Sequence, residues 1–295
     1  MSLLPSLRGT GVALVTPFKE NHDLDIDSLR KVIQHVIDGG VEYVVALGTT
    51  GEPPTLSKED KVKVIETTLE TVAGKVPIVM GVSGNNTREV VKEIERLPLS
   101  GAVALLHASP YYNRPSQEGI YHHYKAVAEA SPVPVIIYNV PSRTGSNLTA
   151  DTTLRLANDC QNIGGIKEAS GTMGQCMQIL KNRPEGFLVV SGDDLLSLPL
   201  IACGMDGVIS VAANAFPKEF SELVSSALKN DFSHARELQG QLLAAFELMF
   251  IENNPAGVKC FLSEMKLIQN LVRLPLVPLS EQYADKIREY LSGSA

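Results

Sequence analysis

The chain has 295 residues, 44% of them apolar and 20% charged, with a formal net charge of −7. That length suits a single α/β barrel better than one average domain, and the apolar share can bury a core without cross-links. Well-mixed charge without a basic run argues against nucleic acid, and no apolar stretch approaches the roughly 20 residues that cross a bilayer. The opening Met-Ser-Leu-Leu-Pro-Ser-Leu-Arg-Gly lacks a charged start and a long apolar core, so no secretory leader is expected. Cys160, Cys176, Cys203 and Cys260 are far apart and form no Cys-x-x-Cys pair, which predicts reduced thiols. No metal site is expected: His122 and His123 are adjacent and would point in different directions from a helix.

Short apolar runs alternate with amphipathic segments along the chain. Strands are predicted at Val12–Val15, Tyr43–Leu47, Ile78–Val82, Ala102–Leu106, Val135–Tyr138, Ile163–Ile166, Leu188–Val190 and Gly207–Val211. The first helix, Asp25–Ile37, carries Ile26, Leu29, Ile33 and Ile37 on one stripe. Ser57–Val72 opens on Ser57 and Asp60, an N-terminal cap with an acidic first turn. Thr87–Leu97, Gln117–Ala130, Ala150–Ala157, Met173–Leu180, Leu195–Ala202 and Pro217–Ala227 fill the later gaps. Eight strands alternating with helices predict a (β/α)8 TIM barrel over residues 1–229. An open doubly wound sheet would want a glycine-rich first turn, and Thr16-Pro17-Phe18-Lys19 has none. Residues 230–295 read as a C-terminal helical extension, with helices at His234–Phe250, Ala256–Ile268 and Ser280–Leu291. No Gly/Ser or Pro-rich linker separates it, so it should pack on the barrel or on another subunit.

Barrels of this class carry their chemistry at the C-terminal strand ends. The sixth strand runs Ile163-Gly-Gly-Ile-Lys-Glu-Ala-Ser-Gly171, which puts Lys167 at a strand end with an apolar approach behind it. Desolvation disfavours an ammonium, so such a lysine is either one more surface cation or a nucleophilic amine for a carbonyl substrate. After the second strand, Gly48-Thr49-Thr50-Gly51-Glu52 is either a plain glycine turn or two hydroxyls and nearby amides suited to a small carboxylate. Tyr111 and Tyr112 stand in a proline-bounded loop, as core plugs or as phenols relaying a proton. Tyr138 ends the fifth strand as Lys167 ends the sixth, and Arg143, five residues on, has the fork that grips a carboxylate. Gly192 lets a ligand approach the backbone after the seventh strand. Together these groups point to a Schiff-base lyase or synthase acting on a small keto acid.

From about Gly9 onward the sequence closely resembles the dihydrodipicolinate synthase family, the 4-hydroxy-tetrahydrodipicolinate synthases of the pyruvate-dependent class I aldolase superfamily. Gly48–Glu52, Ser109–Gly119, Tyr138–Gly145, Ile166–Gly171 and Ser191–Asp194 carry the resemblance, and Tyr-Asn-Val-Pro-Ser-Arg-Thr-Gly is its most specific part. The resemblance implies condensation of pyruvate with L-aspartate 4-semialdehyde in lysine and diaminopimelate biosynthesis. It is implied to run without a metal or organic cofactor, in the cytoplasm, in a homotetramer built from tight dimers. Lys167 would form the Schiff base, and Tyr138 would donate and accept protons. Thr50, with backbone near Thr49 and Ile209, would hold the pyruvate carboxylate. Thr49 or Thr50, Tyr138 and Tyr112 of a neighbouring subunit would form a proton relay. Arg143 would bind the second substrate's carboxylate in a desolvated seat, and Gly192 would lie beside Lys167.

Members inhibited by lysine keep a pocket that Asn85, Glu89 and Tyr111 fit here. Pro53-Pro54, Lys58 and Lys61 depart from it, and two cations would repel lysine, so weak or absent feedback is expected. The runner-up is a sister lyase cleaving N-acetylneuraminate or a 2-keto-3-deoxy acid, against which Ser142-Arg143-Thr144-Gly145 argues. A catalytically silent barrel would have no reactive lysine.

Overall fold

The computed structural model describes residues 2–293. Eight parallel strands close into a barrel in chain order. They are β1 (Gly9–Ala13), β2 (Tyr43–Ala46), β3 (Ile78–Gly81), β4 (Ala104–Ala108), β5 (Val135–Asn139), β6 (Ile163–Glu168), β7 (Leu188–Ser191) and β8 (Gly207–Ser210), with β8 pairing back onto β1. A helix follows each strand before the next begins, so both faces of the sheet are covered, as parallel strands require. The expected (β/α)8 architecture is the one observed.

Alternation along each strand sorts the side chains into two apolar layers. Val45, Val79, Leu106, Ile136, Leu188, Val190 and Ile209 fill the barrel interior. Val12, Val44, Ile78, Leu105, Ile137, Ile166 and Val208 belong to the larger layer under the helices. Tyr43 reaches across the interior only because Gly11 stands beside it, where a Cβ would overlap the phenol ring.

Two strands are offset from their apolar runs. β1 begins at Gly9, whose amide bonds to Asp206 O, and Leu14 and Val15 lie beyond its end. Backbone pairing with β8 sets that start, and the glycines gave no hydrophobic signal for it. β4 runs to Ala108 rather than Leu106 because His107 is fully buried, with its Nε2 2.7 Å from His123 Nε2. The adjacent His122 is exposed, as the helical spacing predicted. Helix Lys58–Val72 starts with the expected capping box: Ser57 Oγ accepts from Asp60 N, and Asp60 Oδ2 accepts from Ser57 N.

Helices Phe232–Phe250, Ala256–Glu264 and Glu281–Ser292 form the C-terminal region. Leu242, Phe246, Phe261 and Ile287 from it join the same apolar layer as the barrel helices. The region therefore shares the barrel's core, and it also supplies a wall of the cavity above β6.

Candidate active site

β5 and β6 place Tyr138 opposite Lys167 in the ladder. Both point into the barrel, both are buried, and Lys167 Nζ sits 4.4 Å from the centre of the Tyr138 ring. Neither side chain makes a hydrogen bond or ion pair with another described residue, so both polar groups face the cavity above them. A buried lysine whose Nζ opens on the cavity, with no side-chain carboxylate bonded to it, is placed to attack a carbonyl bound there. Gly192 forms the neighbouring wall. A Cβ there would stand 2.7 Å from Lys167 Cε and from Ala169 Cβ, so only glycine leaves the lysine its place.

The cavity, about 360 Å3, is lined by Thr49, Thr50, Tyr138, Arg143, Lys167 and Gly192, with Phe246, Phe250 and Asn254 from the C-terminal region. Thr49–Gly51 forms one 3-10 turn that closes through Gly51 N on Gly48 O. The first amides of such a turn lie outside its own hydrogen bonds. Thr50 is buried and its Oγ1 accepts from Asn254 Nδ2 at 3.0 Å, which leaves the hydroxyl proton free to point elsewhere. Asn254 also accepts from Arg143 Nη2 through its carbonyl, while its buried Oδ1 has no partner. Arg143 itself is exposed at the mouth, so the desolvated seat expected for it is not present in the single chain. The loop 141–144 forms a short helix from which Arg143 lines the cavity at its exposed rim.

Ile209 is fully buried in the barrel interior, and Val211, two residues on, reaches the cavity wall. Asp194 is buried beside it, accepting from Val211 N and Ala212 N through Oδ2 while Oδ1 has no partner. Burial pushes the Asp194 carboxyl up to about 6. Tyr112 does not enter its own chain's cavity: it is 89% exposed, with a left-handed backbone at φ 74°.

A second cavity of about 440 Å3 shares Thr49, Tyr138, Arg143 and Asn254 with the first, and is also lined by Pro53, Pro54, Lys61 and Tyr111. Asn85 Nδ2 donates to Tyr111 O, but Glu89 turns to Lys92, whose ammonium holds its carboxyl below the usual range. Of the two cations expected to repel lysine, Lys61 lines this cavity but is paired with Glu93 at 2.6 Å, and Lys58 does not line it.

Three groups escaped the reading of the sequence. Asn254 reaches Thr50 across 204 residues. Lys259 is fully buried and bonded to Glu52, the last residue of Gly-Thr-Thr-Gly-Glu, which also accepts from Arg273 N. Asn139 and Glu168, the neighbours of Tyr138 and Lys167, bond each other on the outer side of the barrel. None of these pairings has a local spacing that announces it. Among the described residues there is no cluster of three or more His, Cys, Asp or Glu able to hold a metal ion.

A model of the dihydrodipicolinate synthetase family matches residues 6–294. The 4-hydroxy-tetrahydrodipicolinate synthase of Phocaeicola vulgatus is 50% identical over 286 residues, 97% of this chain and 96% of that one. The structure is similar to that of the dihydrodipicolinate synthase from Aquifex aeolicus, at 41% identity and TM-score 0.94 over 97% of this chain and 98% of the other. A chloride-inhibited dihydrodipicolinate synthase from Acinetobacter baumannii, solved with pyruvate, is also 41% identical, at TM-score 0.94 over 98% and 99% of the two chains. A barrel carrying a buried strand-end lysine against a tyrosine, matched end to end in sequence and in structure, belongs to the dihydrodipicolinate synthetase family.

Proposed function

We propose that this protein is a 4-hydroxy-tetrahydrodipicolinate synthase that condenses pyruvate with L-aspartate 4-semialdehyde. The observation that carries the reading is Lys167: a buried amine without an ionic partner, 4.4 Å from the Tyr138 ring centre, in a cavity with an arginine at its mouth. The amine of Lys167 adds to C2 of pyruvate and loses water to give an iminium. Removal of a methyl proton, with Tyr138 as the acceptor, gives the enamine. The enamine carbon attacks the aldehyde, and the amine of the second substrate then closes on the imine carbon and releases Lys167. The lysine imine is itself the electron sink, so the reading calls on no cofactor.

The Thr49–Thr50 turn supports a seat for the pyruvate carboxylate, with the Thr50 hydroxyl oriented by Asn254. Arg143 supports recognition of the second carboxylate, because its guanidinium is held at the opening by the Asn254 carbonyl. The exposed Tyr112 is assigned to a neighbouring subunit's relay with Tyr138 and Thr49 or Thr50, in a homotetramer of tight dimers. Four unpaired cysteines suit the cytoplasm.

Borohydride reduction with pyruvate, followed by peptide mass mapping, tests the central step. An adduct on Lys167 is the expected result, and an adduct elsewhere or none rejects the reading. Pyruvate-dependent consumption of aspartate semialdehyde then separates the synthase from a sister lyase, which would instead cleave N-acetylneuraminate or a 2-keto-3-deoxy acid.

A further inference from the structure

Behind the Tyr138–Lys167 pair, on the helix side of the barrel, lies a closed ring of polar side chains. Asn139 Nδ2 donates to Glu168 Oε1 at 3.2 Å and Oε2 at 3.0 Å, and to Asn147 Oδ1 at 2.8 Å. Gln175 Nε2 donates to Glu168 Oε2 at 2.9 Å, and Gln175 Oε1 accepts from Asn147 Nδ2 at 2.8 Å, which closes the circuit. The remaining capacity is also used: Asn139 Oδ1 accepts from Leu148 N and Glu168 Oε1 accepts from Ser170 N. Asn139 is 0% exposed and Glu168 is 1% exposed.

The placement of this ring is informative. The other outward positions of β5 and β6 are Val135, Ile137, Ile163 and Ile166, all buried in the apolar layer. Polarity enters only at the last layer, where Asn139 follows Tyr138 and Glu168 follows Lys167 in the same register. Apolar residues would hold the barrel there equally well. The buried Asn139–Glu168 end of the network adds direction, because each partner is fixed in angle as well as distance. The donors to the buried Glu168 side chain, Asn139 Nδ2, Ser170 N and Gln175 Nε2, are all neutral, so the network and not an ion pair keeps it in place. Asn147 also belongs to the segment that leaves Arg143, so the ring reaches the loop over the cavity mouth as well as both strands.

We propose that Asn139, Glu168 and Gln175 are positioning residues: their ring, buried at Asn139 and Glu168 and open to solvent at Asn147, clamps β5 to β6 and sets the facing of Tyr138 on Lys167 needed for imine formation. The inference rests on the Schiff-base reading of Lys167. A misplacement of about 1 Å at a reacting pair costs on the order of 100-fold in rate. Loosening the ring should therefore slow attack on pyruvate while leaving the pyruvate seat at Thr49–Thr50 intact.

The test uses the full chain as Glu168→Gln, Gln175→Ala and the exchange Glu168→Gln/Gln175→Glu. In Glu168→Gln an amide meets the donor of Gln175. In the exchange that contact is restored with its polarity reversed. The readouts are the rate of pyruvate-dependent borohydride trapping at Lys167, kcat and KM for pyruvate, and the melting temperature. Glu168→Gln should trap roughly 10- to 100-fold more slowly, with KM for pyruvate within about 3-fold of the parent. The exchange should recover most of that rate. Gln175→Ala, which leaves the buried Asn139–Glu168 bonds in place, should slow trapping by about 3- to 10-fold and serves as the milder variant if Glu168→Gln folds poorly. Trapping at the parental rate in Gln175→Ala and Glu168→Gln, or an exchange no faster than Glu168→Gln, overturns the clamp. Absence of any Lys167 adduct in the parent overturns the Schiff-base reading itself, and the clamp with it.

Discussion

Arg143 is the residue whose chemistry most separates a carboxylate-bearing aldehyde from a bare one. It is exposed and steadied by one bond to Asn254 O, so it acts as a guanidinium at a rim. A hydrogen bond to a charged group contributes about 1.5–3 kcal/mol, less than a fully buried pair. Arg143→Ala should therefore lower kcat/KM for aspartate semialdehyde by roughly 10- to 150-fold. Pyruvate trapping at Lys167 should be unchanged, and its loss would contradict the assignment. Asp194 allows a pH prediction. Burial raises its folded carboxyl to about 6, from an ordinary 3.8. Below about pH 4 the group is protonated whether the chain is folded or not, and its contribution is fully present. As pH rises through 6 the folded protein must ionise a buried acid, and on the order of 3 kcal/mol of stability is lost. Asp194→Asn keeps an acceptor for Val211 N and Ala212 N without that charge. Urea midpoints at pH 4, 5 and 7 should show the variant gaining on the parent as pH rises. A gap that stays constant with pH would refute the buried-acid account.

At the scale of elements, the Lys259–Glu52 pair joins helix Ala256–Glu264 to the end of the threonine turn. Burial lowers the Lys259 ammonium to about 8, with Glu52 opposing the shift. Phe18 lies under it at 4.2 Å, and Leu271 O accepts its second bond. Removing one partner of a buried pair costs about 3–5 kcal/mol because the other charge is left alone. Lys259→Met should lower the melting temperature by roughly 6–20 °C, and Glu52→Gln/Lys259→Met should recover much of it. A single variant that melts with the parent would show that the pair is dispensable. In the sequence Lys259 is one more lysine in a helical pattern, and its partner is 207 residues away. The same limit explains Asn254 and Asn139. Strand order, helix caps and the strand-end positions of Tyr138 and Lys167 were legible because periodicity and capping are local signals. The early start of β1 was not, because Gly9 and Gly11 are selected by close approach to neighbours rather than by hydrophobicity. His107 hid the end of β4 in the same way, since its burial depends on His123 from the following helix.

Across the whole molecule, the second cavity opens beside the first and is lined by Pro53, Pro54, Lys61 and Tyr111, the one of the three expected effector-pocket residues that reaches it. Glu93 neutralises Lys61, so the expected weakness of lysine feedback rests on the shape set by the two prolines more than on repulsion. Assays with millimolar lysine should show little inhibition, and strong inhibition would reverse this view. Tyr112 poses the larger question. A tyrosine that is 89% exposed in a left-handed backbone is unfavourable on two counts, loss of apolar burial and local strain. Its loop is also tethered, with Asn113 Nδ2 donating to Asn85 O. A phenol projected so deliberately suits a partner that buries it, and its assignment to a neighbour's relay makes a stringent prediction. Tyr112→Phe and Lys167→Ala should each be nearly inactive alone. In a mixed dimer the Lys167→Ala protomer lends its Tyr112 to the intact Lys167 of the other. Random exchange of equal amounts makes roughly a quarter of all sites complete. Co-refolding or slow subunit exchange should therefore recover about a quarter of parental activity, scaling with the mixed fraction. If Tyr112 serves its own chain, or none, mixing recovers nothing.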